Sequence, residues 1–482
     1  MTTSVPAAGE ERLPALLASR WFLAAALAAA AAVQALGVDG WFVFDDPWFL
    51  ASARRIAFWE YVRRAFDPAA VGSLPEFDRY RPLWLVWFRL QYEVFGLHGA
   101  GYHVVAIALH LVTVVLVVKV ARRLGLPAAH ANLAGAIFAI HPAYSEAIAW
   151  VGGANRVVVA PPALASVLLW LAWVEAPRAG RLAGAGALFL VACLLHPSAV
   201  ALVAVYPLLA WLHAGTGRAS CGARVALFGG LPMLALGIVM AVVHAWVRIE
   251  RPITEGFDLG WHIWANYGAS FGMAAAPACT SSLGCYASPF REVAEGVLLA
   301  GSALFVAAAA ATLLRWGVRS LPAVALLWFV VALAPDTTLV MGSFGRTMYL
   351  ACVPFALWAA AVVPPAVNWC RHRWGGSVRY IVAALAAGAV AGSIAVSAHF
   401  VLLVRAAGRE NVAFVHELRE AHPVIPPGTL LVVEGAPANL TLFDDTRLQA
   451  LVDVYYDGVT AASAARASDQ PARPVIRFAF RP

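Results

Sequence analysis

Long apolar runs broken by short polar turns recur from Trp21 to Phe400. A window of about 19 residues marks them as membrane-length segments. About eleven candidate spans result, near 20–38, 102–120, 131–149, 157–174, 182–196, 198–213, 225–248, 294–314, 321–340, 347–367 and 378–403. The fifth and sixth share His196-Pro197, so that pair reads either as one re-entrant hairpin or as two tight passes. The first run passes directly into Asp-Gly-Trp-Phe-Val-Phe-Asp-Asp with no small-residue cleavage site, which predicts a retained helix, not a removable leader. After the last run the pattern changes: 429–433 and 475–480 read as strands and 446–454 as a helix. The expected architecture is an all-α polytopic membrane domain over 1–404, with about eleven transmembrane helices, followed by a small extracytoplasmic α/β region over 405–482.

Composition agrees with lipid as the solvent: 62% of the 482 residues are hydrophobic, 13% are charged, and the mean hydropathy is +0.74. Arginine and lysine resist translocation, so alternate connections rich in them are assigned to the cytoplasm. These hold Arg12 and Arg20; Lys119, Arg122 and Arg123; Arg178 and Arg181; Arg218 and Arg224; Arg315 and Arg319; and Arg371, Arg373 and Arg379. The loops 39–100, 141–156, 249–293 and 335–346 and the tail after 404 then face outward. The chain is expected to be a multi-pass plasma (inner) membrane protein with a cytoplasmic N-terminus and an extracytoplasmic C-terminus. Because the basic residues are spread over topology-setting loops, the net charge of +7 implies no nucleic-acid partner. Cys193 and Cys352 fall inside spans, and Cys221 and Cys370 on the reducing side. Cys279 and Cys285 share an outward loop where a bridge is allowed, and spacing alone leaves it open. No Cys or His spacing suits a metal.

The outward loop 39–100 carries the densest chemistry. Asp45 and Asp46 stand in Phe-Asp-Asp-Pro just past the first span, where an acid pair has no packing purpose. Phe49 to Phe66 mixes aromatics with Arg54, Arg55, Arg63 and Arg64, which favours an interfacial helix with snorkelling arginines over a phosphate clamp. Tyr80-Arg81-Pro82-Leu83 opens Trp84 to Phe95, an aromatic segment too short to span and expected in the interface. On the next span His103 and His110 lie seven residues apart and nearly on one face. Helix-to-helix hydrogen bonding and a direct site role are both open to them. In His141-Pro142-Ala143-Tyr144-Ser145-Glu146-Ala147-Ile148-Ala149-Trp150, Pro142 should break the helix and leave His141 and Glu146 at the same outward mouth as the acids. A solvated helix start would also account for Glu146.

Phe-Asp-Asp-Pro, Tyr-Arg-Pro-Leu, Gly101-Tyr102-His103, His110 and the His141 to Trp150 segment, in this order, resemble the core motifs of the GT-C membrane glycosyltransferases. The nearest branch is that of the transmembrane and tetratricopeptide-repeat O-mannosyltransferases and their bacterial relatives. Leu333-Ala334-Pro335 and Gly345-Arg346-Thr347-Met348-Tyr349 are similar to its Leu-Leu-Pro and Glu-Arg-Tyr-Leu-Tyr elements. Three departures stand out. Gly153-Ala154-Asn155-Arg156 occupies the place of Gly-Arg-x-Asp, His196-Pro197 that of Lys-Glu, and Gly345 that of a glutamate. No repeat of about 34 residues follows the membrane part.

The resemblance implies transfer of a sugar from a polyprenyl-phosphate donor to a protein or glycan acceptor outside the cytoplasm, with inversion at the anomeric carbon. Asp45 or Asp46 would be the general base. Arg81, His103, His110, His141, Glu146, Arg346 and Tyr349 would serve substrate binding, with Arg81, Arg346 and Arg156 as candidates to receive the departing phosphate. Adjacent carboxylates should titrate as a coupled pair. A divalent cation bridging the acids with Glu146 is compatible with the pattern but not required by it. The alternatives are a flippase or transporter of lipid-linked sugars, and a non-catalytic scaffold with the same architecture.

Overall fold

The structure is a computed structural model that describes residues 12–77, 79–215, 223–250, 260–275, 291–338, 345–375, 377–441, 444–466 and 474–481. Cys221, Cys279 and Cys285 lie outside the described residues. Among those described, seven helices are long and apolar enough to cross a membrane. They lie within Gly99–Arg123, Gly152–Glu175, Pro197–Gly215, Gly229–Val247, Gly296–Trp316, Gly345–Trp374 and Tyr380–Ala421. The other four expected spans are helical but short: Arg20–Ala35, Ala128–Ile140, Ala179–Leu195 and Leu321–Thr337 have 16, 13, 17 and 17 residues. At 1.5 Å per residue these fall short of a hydrocarbon core about 30 Å thick. Two are cut by proline: Pro142 follows the helix ending at Ile140, and Pro197 the one ending at Leu195. The chain is an integral membrane protein.

The loop 39–100 departs from the interfacial picture. Phe49 to Phe66 is not one helix but two, Asp46–Arg55 and Phe58–Phe66. In the first, Phe49, Leu50, Ala51 and Ala53 are buried, because protein rather than lipid headgroups covers them. Only the second keeps an interfacial character, with Trp59 78% exposed and Arg63 and Arg64 both paired to Glu60. Pro82–Phe95 likewise buries Trp84, Leu85 and Phe88 instead of lying in the interface. The expected loop 249–293 contains a packed helix, His262–Ala275, with Asn266, Ser270 and Met273 buried.

Beyond the bundle, three parallel strands, β1 (Leu430–Glu434), β2 (Thr460–Ser463) and β3 (Val475–Ala479), form a sheet in the order β2-β1-β3. Leu430 pairs with Thr460 on one side and with Val475 on the other. The helix Thr446–Tyr455 connects β1 to β2, as a parallel pair requires. The boundary expected at 404 falls inside a continuous 44-residue helix, Val378–Ala421. Its apolar stretch ends at Val404, and its last turns bring Phe414 and Leu418 into the core of the α/β unit. One rigid element thus joins the membrane domain to its cap.

Candidate active site

Phe44, the residue before the acid pair, has a φ of +52°, a conformation that costs an aromatic residue about 1–3 kcal/mol. It is held there from two sides. Its N–H donates to Asn439 Oδ1 in the cap at 3.3 Å, and its ring meets Trp150 edge-on at 5.4 Å. This turn sends the two adjacent carboxylates to different surroundings.

Asp46 is fully buried. Its Oδ2 accepts from Val43 N at 2.9 Å, and its Oδ1 from Trp150 Nε1 at 3.1 Å and Gly152 N at 2.6 Å. A Cβ on Gly152 would stand 2.8 Å from that same oxygen, so glycine alone fits there. Burial pushes the carboxyl up to about 8, against the pull of its backbone donors. Asp46 therefore clasps the acid loop to the Trp150–Gly152 loop. Asp45 keeps 29% of its side chain exposed and receives Arg447 Nε and Nη2 of the cap helix on Oδ1, both at 2.8 Å. Arg447 also lies over the Trp48 ring, 4.7 Å from its centroid.

Glu146 is buried and paired with Arg346 Nη1 at 3.1 Å, and the Arg346 guanidinium lies 5.1 Å over Trp150. Asp46, Trp150, Arg346 and Glu146 thus form one connected patch. Arg81 stands beside the acid helix, with its guanidinium 5.9 Å from the centroid of Phe49. A basic group gathers around His196, a buried side chain whose Nδ1 meets Ser198 Oγ at 2.9 Å. Arg156, Arg79, Arg81 and His244 are its charged neighbours.

The histidines of the motifs pack within the bundle. His110 Nδ1 meets Tyr349 OH at 2.9 Å and its Nε2 meets Ala139 O at 3.1 Å. His141 Nε2 lies 3.0 Å from Ala274 O, while its Nδ1 accepts from Ala143 N at 3.3 Å. His103 is buried against Trp87, Gln91 and Tyr102 around a void of about 10 Å³, the size of one water. Arg156 is committed as well. It makes a bidentate pair with Asp336 at 2.7 and 2.8 Å, both side chains buried. Among the described residues no three His, Cys, Asp or Glu side chains form a metal-binding group, and Glu146 is engaged by Arg346.

Arg447 and Asp336 went unnoticed in the sequence. A charge beside Pro335 at the end of an apolar span was a usable signal for Asp336, since intramembrane acids mark partners or sites. No local signal marks Arg447. Asn439 stands in a glycosylation-like triplet, but in the structure it is buried and bonded in both directions to Asn411 at 2.9 and 3.0 Å, which seals it from modification.

No family model matches the chain. It is 48% identical over 75 residues to the protein O-mannosyl-transferase Tmtc1 of Drosophila melanogaster, a stretch that is 15% of this chain and 9% of that protein. It is 31% identical over 168 residues to the protein O-mannosyl-transferase TMTC4 of Homo sapiens, 30% of this chain and 22% of that one. To TMTC1 of Homo sapiens it is 29% identical over 189 residues, 37% of this chain and 21% of that relative. The matched stretches thus span about a fifth or less of the length of these relatives. Over part of its length, then, the chain is related to the protein O-mannosyl-transferases of the GT-C branch that its motifs resemble.

Proposed function

We propose that this protein is a membrane glycosyltransferase that moves a sugar from a polyprenyl-phosphate carrier to a hydroxyl acceptor on the extracytoplasmic side, with Asp45 as general base. The observation that carries the reading is the division of labour between the acids. Asp46 is enclosed and holds the loop, whereas Asp45 is part-exposed at the seam between membrane domain and cap. A general base must reach the proton that it abstracts, which a walled-in carboxylate does not. The acceptor oxygen attacks the anomeric carbon from the side opposite the phosphate, and its proton passes to the Asp45 carboxylate. The bond between that carbon and the phosphate oxygen breaks, and the lipid phosphate leaves with the bonding pair. Such a single displacement inverts the configuration. The leaving charge is received by the basic group that includes Arg81 and Arg79, as preorganised cations do for developing oxyanions. Relatives named as protein O-mannosyl-transferases support both the transfer reaction and a protein acceptor.

The test is transfer from a polyprenyl-phosphate mannose to acceptor peptides by purified protein. Asp45→Asn is expected to lower kcat by roughly a hundred-fold or more while donor binding persists. Asp46→Asn is expected to act first on stability, because it sets an amide N–H against the donor at Val43. Wild-type turnover by Asp45→Asn would remove Asp45 as base. Donor translocation across vesicles without transfer would favour the transporter reading.

A further inference from the structure

Side chains of the cap grip the acid loop on both sides of the Phe44–Asp45 peptide bond. Asn439 Oδ1 receives the N–H of Phe44 at 3.3 Å, and Arg447 holds the carboxylate of Asp45 itself. Arg447 Nε and Nη2 both end on Oδ1, each at 2.8 Å, and the guanidinium lies 4.7 Å from the centroid of the Trp48 ring. Trp48 stands one helical turn beyond Asp45. We propose that Arg447 is a positioning residue of the transfer reaction: from the cap it fixes the Asp45 carboxylate in the orientation that takes the acceptor's proton, so that the site is complete only with the cap in place. The inference rests on the reading of Asp45 as general base.

The grip is built into the seam. The Arg447 side chain is 12% exposed, against 40% for Arg55, so it is a largely enclosed cation and not one of the solvated pairs that contribute little. A guanidinium presents its donors as a rigid fork, so two contacts on one oxygen restrict rotation of the carboxylate more than an ammonium would. The Trp48 ring limits the guanidinium in turn, and Arg447 Nη1 is braced 4.0 Å from Asp444 Oδ1 on its own side. The cap helix Thr446–Tyr455 is also fixed in register against the helix Asp46–Arg55. Near one end its Arg447 meets Asp45; near the other its Asp453 meets Arg55 at 2.7 Å, a pair of opposite polarity, so that a slip would break both. On the same helix Ala450 and Val454 enter the apolar core that holds Leu50 and Ala51. A latch that opened to release the acid would have to draw these side chains out of the core, whereas a fixture that aims the acid leaves them where they are. Misplacing a catalytic group by about 1 Å can cost a hundred-fold in rate, so a residue that fixes the carboxylate acts on kcat without touching substrate.

Transfer from polyprenyl-phosphate mannose to an acceptor peptide by the full-length protein in lipid nanodiscs tests this directly. Arg447→Ala should lower kcat roughly ten- to hundred-fold, with KM for donor and peptide changed less than about two-fold. Arg447→Lys keeps the charge but not the fork, and its kcat should fall between those of Arg447→Ala and the wild type. Millimolar methylguanidinium should restore part of the lost kcat in Arg447→Ala and none in Asp45→Asn. Arg55→Ala removes the more exposed pair of the same seam and should keep kcat within about two-fold of the wild type. Wild-type kcat in folded Arg447→Ala, a loss carried by KM, no rescue by methylguanidinium, or an equal loss in Arg55→Ala would overturn the assignment. Where Arg447→Ala does not fold, wild-type kcat in Arg447→Lys overturns it equally. A higher kcat in Arg447→Ala would overturn it in favour of a cap that restrains the acid. Wild-type turnover by Asp45→Asn would instead remove the base on which the proposal rests, whereas a loss in Asp45→Asn with none in Arg447→Ala would leave the base standing and sink the positioning role alone.

Discussion

Asp46 shows how one residue's surroundings reassign its task. A pair of aspartates next to a proline looks symmetric in sequence, yet one of them is closed in by Val43, Trp150 and Gly152 and the other faces the cap. In the folded protein Asp46 keeps its proton up to about 8, whereas unfolded it would release it near the ordinary 3.8. Its contribution to stability is therefore full below the unfolded value and disappears as pH rises through about 8. The thermal midpoint in detergent should fall between about pH 5 and pH 8 more steeply in the wild type than in Asp46→Asn. Equal slopes would show that burial does not govern this group. At the same scale, Arg156 read from sequence as a lost acid free to meet a phosphate. In space it closes on Asp336, 180 positions away, and no spacing rule connects the two.

At the scale of elements, the long helix Val378–Ala421 is what seats the cap on the acid loop. Arg405 and Arg409 both reach Asp39 at its exit from the apolar stretch, at 2.5 and 2.7 Å, and hold that carboxyl down to about 2. Two residues further, Asn411 Nδ2 donates to Phe42 O at 2.9 Å. Between these contacts Gly408 lets the helix backbone lie against Trp41: a Cβ there would stand 2.6 Å from Trp41 N and 2.7 Å from Trp41 O. Backbone atoms cannot turn aside as a side chain would. Gly408→Ala should cost about 1–3 kcal/mol, read as a lower unfolding midpoint. An unchanged midpoint would mean that the helix does not press on the acid loop. The helix itself was legible as an apolar run, but its extension past Val404 was not, since the polar sequence there resembles a tail until Phe414 and Leu418 find the cap's core.

For the whole molecule, the distribution of Arg and Lys among the loops predicts an acid loop on the outside, which the proposed chemistry requires. Ser73 lies exposed on that loop, and Ala179 is exposed on the connection expected in the cytoplasm. Ser73→Cys should react with a membrane-impermeant maleimide in intact cells, and Ala179→Cys only after permeabilisation. The opposite pattern would place both acids on the cytoplasmic face and end the proposed reaction. The same whole-molecule arrangement sets the cap over Asp45 through Arg447.

The apolar runs, the breaks at Pro142 and Pro197 and the motif order were sufficient by themselves for a polytopic helical protein with acids on one loop. Each is a local property, set by chain periodicity, by the missing N–H of proline and by the cost of charge in hydrocarbon. The surroundings of the site residues were decided only in three dimensions. Whether Asp45 or Asp46 meets solvent, whether Arg156 has a partner, and whether His110 and His141 face a substrate or a backbone carbonyl all depend on atoms far away in the chain. Burial and pairing are sums over such neighbours, and the chain defines those neighbours only when helices, loop and cap have packed.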